Sequence, residues 1–379
     1  MKVSHLKSQR LHSLDALRAI MMLLGIVLHA TEPYSLGEDA SWAKDPNGTH
    51  ISMNYIFGII HIFRMPIFFM VAGFFGSMLF YERGPRAMMK NRLRRILMPF
   101  GVFLLLLHPI IISAWTYTSE TMGVSVSRML TTMTWLPGMT YHLWFLYYLL
   151  MITAISFCLA SALKHTPRFT QWITRAFEWL MRRKMVFILV FSIVVFLLLV
   201  WMWDTWISTP LSFTPDLPVL VAYSLFYFIG WVLFKSKHFL DNMMRNDWVF
   251  AISGLVIFTL RFIFRPYIDD VLYGALNAIM VWFFVFGITG LFIRYASRYS
   301  ARMRYVSDAS YWVYLIHLPL TGLIPAFIFN WPIPVFLKFL IVVVITTIVC
   351  FTTYHFMVRS TFIGKFLNGR RYPRRGNPS

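Results

Sequence analysis

The sequence predicts an all-α polytopic membrane protein, a bundle of about ten transmembrane helices with both termini cytoplasmic. Three observations carry that reading. Of 379 residues, 58% are hydrophobic and only 13% charged, where a soluble domain carries roughly 25% charged residues. Apolar windows of about 18–25 residues recur along the chain, the length that crosses a hydrocarbon core at 1.5 Å rise per residue. The basic residues gather in alternate connections, as they do where cytoplasmic loops are marked by Lys and Arg. With 18% aromatic residues the low charge does not describe a disordered chain.

The windows run in order at 15–34, 53–81, 96–116, 141–163, 185–204, 217–235, 248–264, 271–293, 309–329 and 333–357. The first follows Lys2, Lys7 and Arg10, but no small-x-small cleavage site follows His29, so it reads as a retained helix and not a signal peptide. Pro66 interrupts the second, which is tolerated at membrane depth only where neighbours satisfy the freed carbonyl. Arg92-Leu93-Arg94-Arg95 leads into the third, and Tyr141-His142-Leu143-Trp144 opens the fourth. The next four are plain apolar runs. Tyr311, Tyr314, His317 and Pro319 mark the ninth, and a basic tail follows the tenth. The connections are short, so 1–379 reads as one membrane domain with basic tails at about 1–13 and 359–379. Cys158 and Cys350 lie in apolar runs and read as packing residues.

The net charge of +20 would suggest a nucleic-acid partner in a soluble chain; here it reads as topology. The N-terminal tail, connections 82–95, 164–184, 235–247 and 294–308, and the C-terminal tail hold 28 basic and five acidic residues. The other connections hold Lys44, Arg128 and Arg265 against nine acidic residues, among them Glu32, Glu38, Asp39, Asp45, Asp269 and Asp270. That places both termini in the cytoplasm and predicts no nucleic-acid partner.

Within the spans remain Asp15, Arg18, Arg64, Arg261 and Lys338. A charge at bilayer depth costs several kcal/mol and normally marks a functional path. Lys338 and Arg261, close to span ends, are expected to snorkel to the interface. Asp15 and Arg18 are three apart and can pair. Arg18 and His29 are eleven apart, which returns to almost the same helix azimuth and puts His29 about 16 Å deeper. A His29 that only bonds a neighbouring helix is the competing reading. His61 and Arg64 are again three apart, and Pro66 favours an Arg64 that faces a polar cavity. Arg92 and Arg95 read equally as positive-inside charge and as phosphate contacts. An aromatic belt explains Trp144 and Tyr311 but not His142 or His317. Carboxylate clusters, HExxH and Gly-rich phosphate loops are missing from the sequence, so no metal site is expected.

Four motifs now stand in order: Arg18 followed after ten residues by His29; Phe63 to Phe75 ending Met70-Val71-Ala72-Gly73-Phe74-Phe75; Arg92-x-x-Arg95; and Tyr311 to His317. In these the chain resembles the membrane-bound acyltransferase-3 family over nearly its whole length. Leu14-Asp15, His61-x-Phe63-Arg64-Met65, His142-Leu143-Trp144 and Ala309 to His317 resemble its branch that succinylates osmoregulated periplasmic glucans. The resemblance implies acyl transfer from a cytosolic acyl-CoA to a hydroxyl of a periplasmic glucan or other glycan, in the bacterial inner membrane. Succinyl-CoA or acetyl-CoA would be the donor substrate, with no permanently bound cofactor. By the same resemblance His29 is the general base, with Arg18 and Asp15 beside it. Arg64, Arg92 and Arg95 would bind the donor, and His61, His142, Trp144, Tyr311 and His317 would line the acceptor side or the cavity. A secondary transporter or flippase is the alternative, since intramembrane ionisable residues also mark solute paths; the lack of an internal repeat speaks against it.

Overall fold

The structure is a computed structural model that describes residues 2–37, 42–123 and 136–372, with side chains from His12 onward. Glu38, Asp39 and Arg128, the side chains of Lys2, Lys7 and Arg10, and the tail beyond 372 lie outside the described residues. The described residues form helices α1 (Lys2–Thr31), α2 (Ile51–Arg83), α3 (Pro85–Arg92), α4 (Met98–Met122), α5 (Trp144–Leu163), α6 (Pro167–Arg182) and α7 (Lys184–Met202). They continue with α8 (Leu217–Lys235), α9 (Leu240–Met243), α10 (Asp247–Ile263), α11 (Asp270–Tyr295), α12 (Ala301–Ile328), α13 (Val335–Thr353) and α14 (Phe362–Asn368). Side-chain caps set two of the starts: Asp216 accepts from Val219 N at 3.1 Å ahead of α8, and Asp269 from Leu272 N at 2.8 Å ahead of α11.

Among the described residues nine helices are long and apolar enough to cross a membrane, so the protein is a multi-pass membrane protein. The tenth expected span is α10, with 17 residues. It is bent by 62° from the segment Lys237–Met243 and completes a tenth crossing only if the bent pair is counted as one. The connection 164–184 is not a plain loop, because most of it is α6.

The chain folds as two compact units interleaved in sequence. The first gathers Met1–Met21, Ile62–Leu93 and Trp144–Arg304. Its core is aromatic: Trp282 meets Phe226 at 4.9 Å and Phe187 at 5.4 Å between ring centroids, and Phe187 meets Phe286 at 5.2 Å. Helices α2 and α8 approach to backbone contact. A Cβ at Gly73 would run into the carbonyl of Tyr227, and one at Gly230 into the carbonyl of Met70. Only small residues permit such a crossing between helices in lipid. Gly230→Val is therefore expected to cost about 1–3 kcal/mol or more, read as a lowered melting temperature in detergent.

Arg261 belongs to this unit and does not snorkel: it is 2% exposed. Its Nη1 donates to Asn277 Oδ1 at 2.5 Å, Asn277 donates to Thr205 O at 2.6 Å, and Tyr273 and Phe258 lie 4.2 and 4.8 Å from the guanidinium carbon. Aromatic faces and an amide satisfy the charge in place, so it has no need to reach the interface.

The second unit gathers Met22–His61, Arg94–Leu143 and Tyr305–Ser379. One core cluster joins Ala30, Tyr34, Met53, Ile324, Ile328, Phe339 and Val342, and a smaller one joins Ile26, Val313 and Cys350. Lys338 also contradicts the snorkelling expectation. Its side chain is 2% exposed and donates to Asp45 Oδ2 at 2.8 Å, the Asp45 side chain being fully buried, and to Phe329 O at 2.5 Å. The connection after α1 folds inward to meet it. Lys44 Nζ donates to Glu32 O and Ser35 Oγ, each at 2.8 Å; Asp45 N donates to Pro33 O at 2.9 Å and His50 N to Tyr34 O at 2.9 Å. Residues 42–50 thus form a strap fixed at several points.

Candidate active site

The second unit holds a file of aromatic and imidazole rings. His29, on the last turn of α1, lies 5.4 Å from His317 on α12 between ring centroids, and His317 lies 5.3 Å from His142. On its other side His29 stacks nearly parallel to Trp42 of the strap, at 5.9 Å and 15°. Trp42 in turn meets Trp115 of α4 at 4.6 Å.

Local chemistry fixes two of these imidazoles. Pro319 has no N–H to give the carbonyl one helical turn before it, which leaves Leu315 O without its helical donor. His142 Nε2 donates to that oxygen at 3.0 Å, and Tyr314 OH donates back to His142 O at 2.7 Å. His317 Nδ1 donates to Tyr314 O at 2.8 Å and Val313 O at 3.1 Å. A carbonyl oxygen only accepts, so each bonded nitrogen carries the hydrogen. The neutral rings then have their lone pairs on Nε2 of His317 and Nδ1 of His142. Tyr141, just before His142, holds a left-handed φ of 49°, a conformation that costs a non-glycine residue and clusters at functional sites. Its hydroxyl lies 2.8 Å from Nδ1 of the buried His108, which helps hold it there.

The first unit holds a separate set of charges. Arg18 Nη2 pairs with Asp15 Oδ1 at 3.2 Å, and its guanidinium lies 5.7 Å from the Phe75 ring centre. Arg64 lies half-buried on α2. Tyr223 stacks on Phe69 at 4.6 Å and packs on Trp144 at 5.3 Å. Arg92 packs against Gly76 and Tyr227. Its Nε and Nη2 are buried and have no hydrogen-bond partner among the described residues. Those two nitrogens form one edge of the guanidinium, the edge that grips a phosphate or carboxylate with two parallel bonds.

The sequence motifs therefore separate into two groups. His29, His142 and His317 come together, and Asp15 pairs with Arg18 as their spacing indicated. Arg92 and Arg95 do not share a helical face, because the π turn Leu93–Leu97 falls between α3 and α4. Arg95 Nη1 donates to Leu367 O at 3.2 Å, with its guanidinium against Gly369, and its own carbonyl accepts from Tyr311 OH at 2.9 Å. Trp144 is 4% exposed and packs with Tyr148 and Phe145. His61 stacks on Phe57 at 5.5 Å. Trp42, Trp115 and His108 escape a sequence reading. Tryptophan in an outer connection looks like an interfacial anchor, and only the fold shows it beside an imidazole. Among the described residues no three His, Cys, Asp or Glu side chains are placed to hold a metal ion.

The family model described as "Acyltransferase domain" matches residues 11–355. The chain is similar to "Glucans biosynthesis protein C" of Shigella dysenteriae, 24% identical over 339 residues that cover 85% of this chain and 84% of the relative. It is also similar to proteins of the same name from Salmonella enteritidis, 24% identical over 346 residues covering 86% of each chain, and from Escherichia coli, 24% identical over 339 residues covering 85% and 84%. No solved structure matches the chain.

Proposed function

Because this chain belongs to the acyltransferase-3 family, we propose that it moves a succinyl group from cytosolic succinyl-CoA to a hydroxyl of a periplasmic glucan. It does so from the bacterial inner membrane, with both termini in the cytoplasm. The observation that carries the reading is His29 seated against His317, whose Nδ1 is committed to backbone carbonyls and whose Nε2 holds the lone pair.

In this reading the His29 nitrogen turned away from His317 takes the proton of the sugar hydroxyl. The hydroxyl oxygen forms the new C–O bond at the thioester carbonyl. The tetrahedral intermediate collapses with cleavage of the C–S bond, and the leaving thiolate receives the proton from His29. His317 positions His29 by packing its imidazole against the His29 ring, the role that a third group plays behind many catalytic bases. Trp42 holds the flat of the ring and shields it from water. Arg92 supplies an unpartnered guanidinium edge for a donor phosphate, and Arg18 adds a cation on the first helix. The glucan acceptor is supported by the names of the relatives, and the succinyl preference by Arg64, a guanidinium suited to a terminal carboxylate.

The test is release of free thiol by the purified protein from succinyl-CoA, with and without glucan oligosaccharide. Acceptor-dependent release is expected, and its absence from a folded preparation overturns the reading. Arg64→Met is expected to raise KM for succinyl-CoA by about 10- to 100-fold, the worth of one charged hydrogen bond, with KM for acetyl-CoA unchanged. Equal effects on both donors would remove the carboxylate role from Arg64.

A further inference from the structure

In the sequence, residues 164–184 register only as a connection with six basic residues. In the structure, α6 fills most of it with 16 residues, about 24 Å of helix. The preceding span α5 ends at Leu163 and the following span α7 starts at Lys184. Three residues before Pro167 and one after Arg182 leave α6 at most about 10 Å of slack. It is held at the membrane surface by its own connections.

The helix has two apolar faces with different neighbours. Ile173, Phe177 and Met181, at i, i+4 and i+8, face the protein. Phe177 meets Phe187 at 6.1 Å, and Met181, 2% exposed, accepts through its carbonyl from Asn242 Nδ2 at 2.8 Å. Glu178, the one acidic residue of the helix, also turns inward: Ser236 Oγ donates to its Oε1 at 3.1 Å, and His238 Nε2 lies 3.6 Å from it. The other side is exposed and aromatic, with Phe169 at 50%, Trp172 at 64% and Trp179 at 49%. Phe169 stacks on Trp172, and Arg183 lies over Trp179 at 4.5 Å. Beside these rings runs a stripe of Arg168, Arg175 and Arg182, seven apart and so within about 40° of one another around the helix. Arg182 also lies over Phe239 at 5.7 Å. Arg168 and Arg175 are exposed and have no carboxylate partner among the described residues.

Large rings next to guanidinium groups, on a helix tied at both ends to membrane spans, match the chemistry of one surface. We propose that α6 is a binding site for anionic phospholipid headgroups of the leaflet on which it lies. Phe169, Trp172 and Trp179 enter the boundary between headgroups and acyl chains. Arg168 and Arg175 take lipid phosphates in bidentate bonds. A protein partner has no comparable claim, because the exposed aromatic rings sit on a helix whose two ends are tied directly to membrane spans. The proposal is independent of the acyl-transfer reaction.

The experiment places a polarity-sensitive fluorophore on Trp172→Cys in a Cys158→Ser background. The full-length protein is reconstituted in nanodiscs of phosphatidylcholine, with and without one-quarter phosphatidylglycerol. Doxyl groups near the lipid carbonyls are expected to quench the label, and aqueous iodide is not. Native mass spectrometry of protein released from the mixed discs is expected to show retained phosphatidylglycerol, falling by about tenfold or more in Arg168→Gln/Arg175→Gln, at about fivefold per cation near the surface. Quenching by iodide would mean that the face meets water. A label shielded from both quenchers would mean a second copy or another protein covers it. Either result, or unchanged lipid retention in the double variant, overturns the proposal.

Discussion

His29→Ala is expected to lower kcat for acyl transfer by about 10²- to 10⁴-fold, the range that a positioned general base contributes. KM for donor and acceptor should change little. His29 is half-buried at the end of α1, and its truncation removes ring contacts with Trp42 and His317 without stranding a charge, so the variant should fold. The neighbouring histidine separates a catalytic network from mere packing. His317→Leu removes the polar ring behind His29 and should cost about tenfold or more in kcat. His317→Gln restores a hydrogen-bonding group at nearly the same reach and should recover part of the loss. If Gln and Leu are equally damaging, His317 serves only to pack α12.

Lys338→Met is expected to destabilise the protein by about 3–5 kcal/mol, because it leaves the buried carboxylate of Asp45 without its cation. The loss is asymmetric. Lys338→Met combined with Asp45→Asn should recover a large part of it, since a neutral amide does not need a counter-charge in that position. The pair ties the strap to α13, and the strap carries Trp42 to His29. Activity in Lys338→Met should therefore fall more steeply on warming than in the wild type. Thermal melts in detergent and activity against temperature check the two halves. A single variant as stable as the wild type would show that the buried pair is energetically neutral.

How much was legible in advance differs by residue. Spans read well because lipid demands long uninterrupted apolar helices. The weakest, α10, is short and bent, which a hydropathy window does not register. Asp15 with Arg18 and the clustered histidines His29, His142 and His317 could be placed because charges and imidazoles are rare at depth. Lys338 and Arg261 were misjudged for a common reason: sequence position gives the distance to a helix end but not the partner. Asp45 comes from a distant connection and Asn277 from another helix. Trp42 and Trp115 could not be told from interfacial aromatics by residue type alone. Pro319 is plain in the sequence, but only the fold shows that the Leu315 carbonyl it frees is the acceptor that sets the tautomer of His142. A π turn divides Arg92 from Arg95, which their spacing in the sequence does not register.

The most direct test of the central claim is the intact mass of a glucan oligosaccharide after incubation with succinyl-CoA and purified protein, wild type beside His29→Ala. The account predicts a base-labile gain of succinyl mass on the glucan with the wild type and almost none with the variant. A glucan unchanged by folded wild-type protein, or one succinylated equally by His29→Ala, would contradict it.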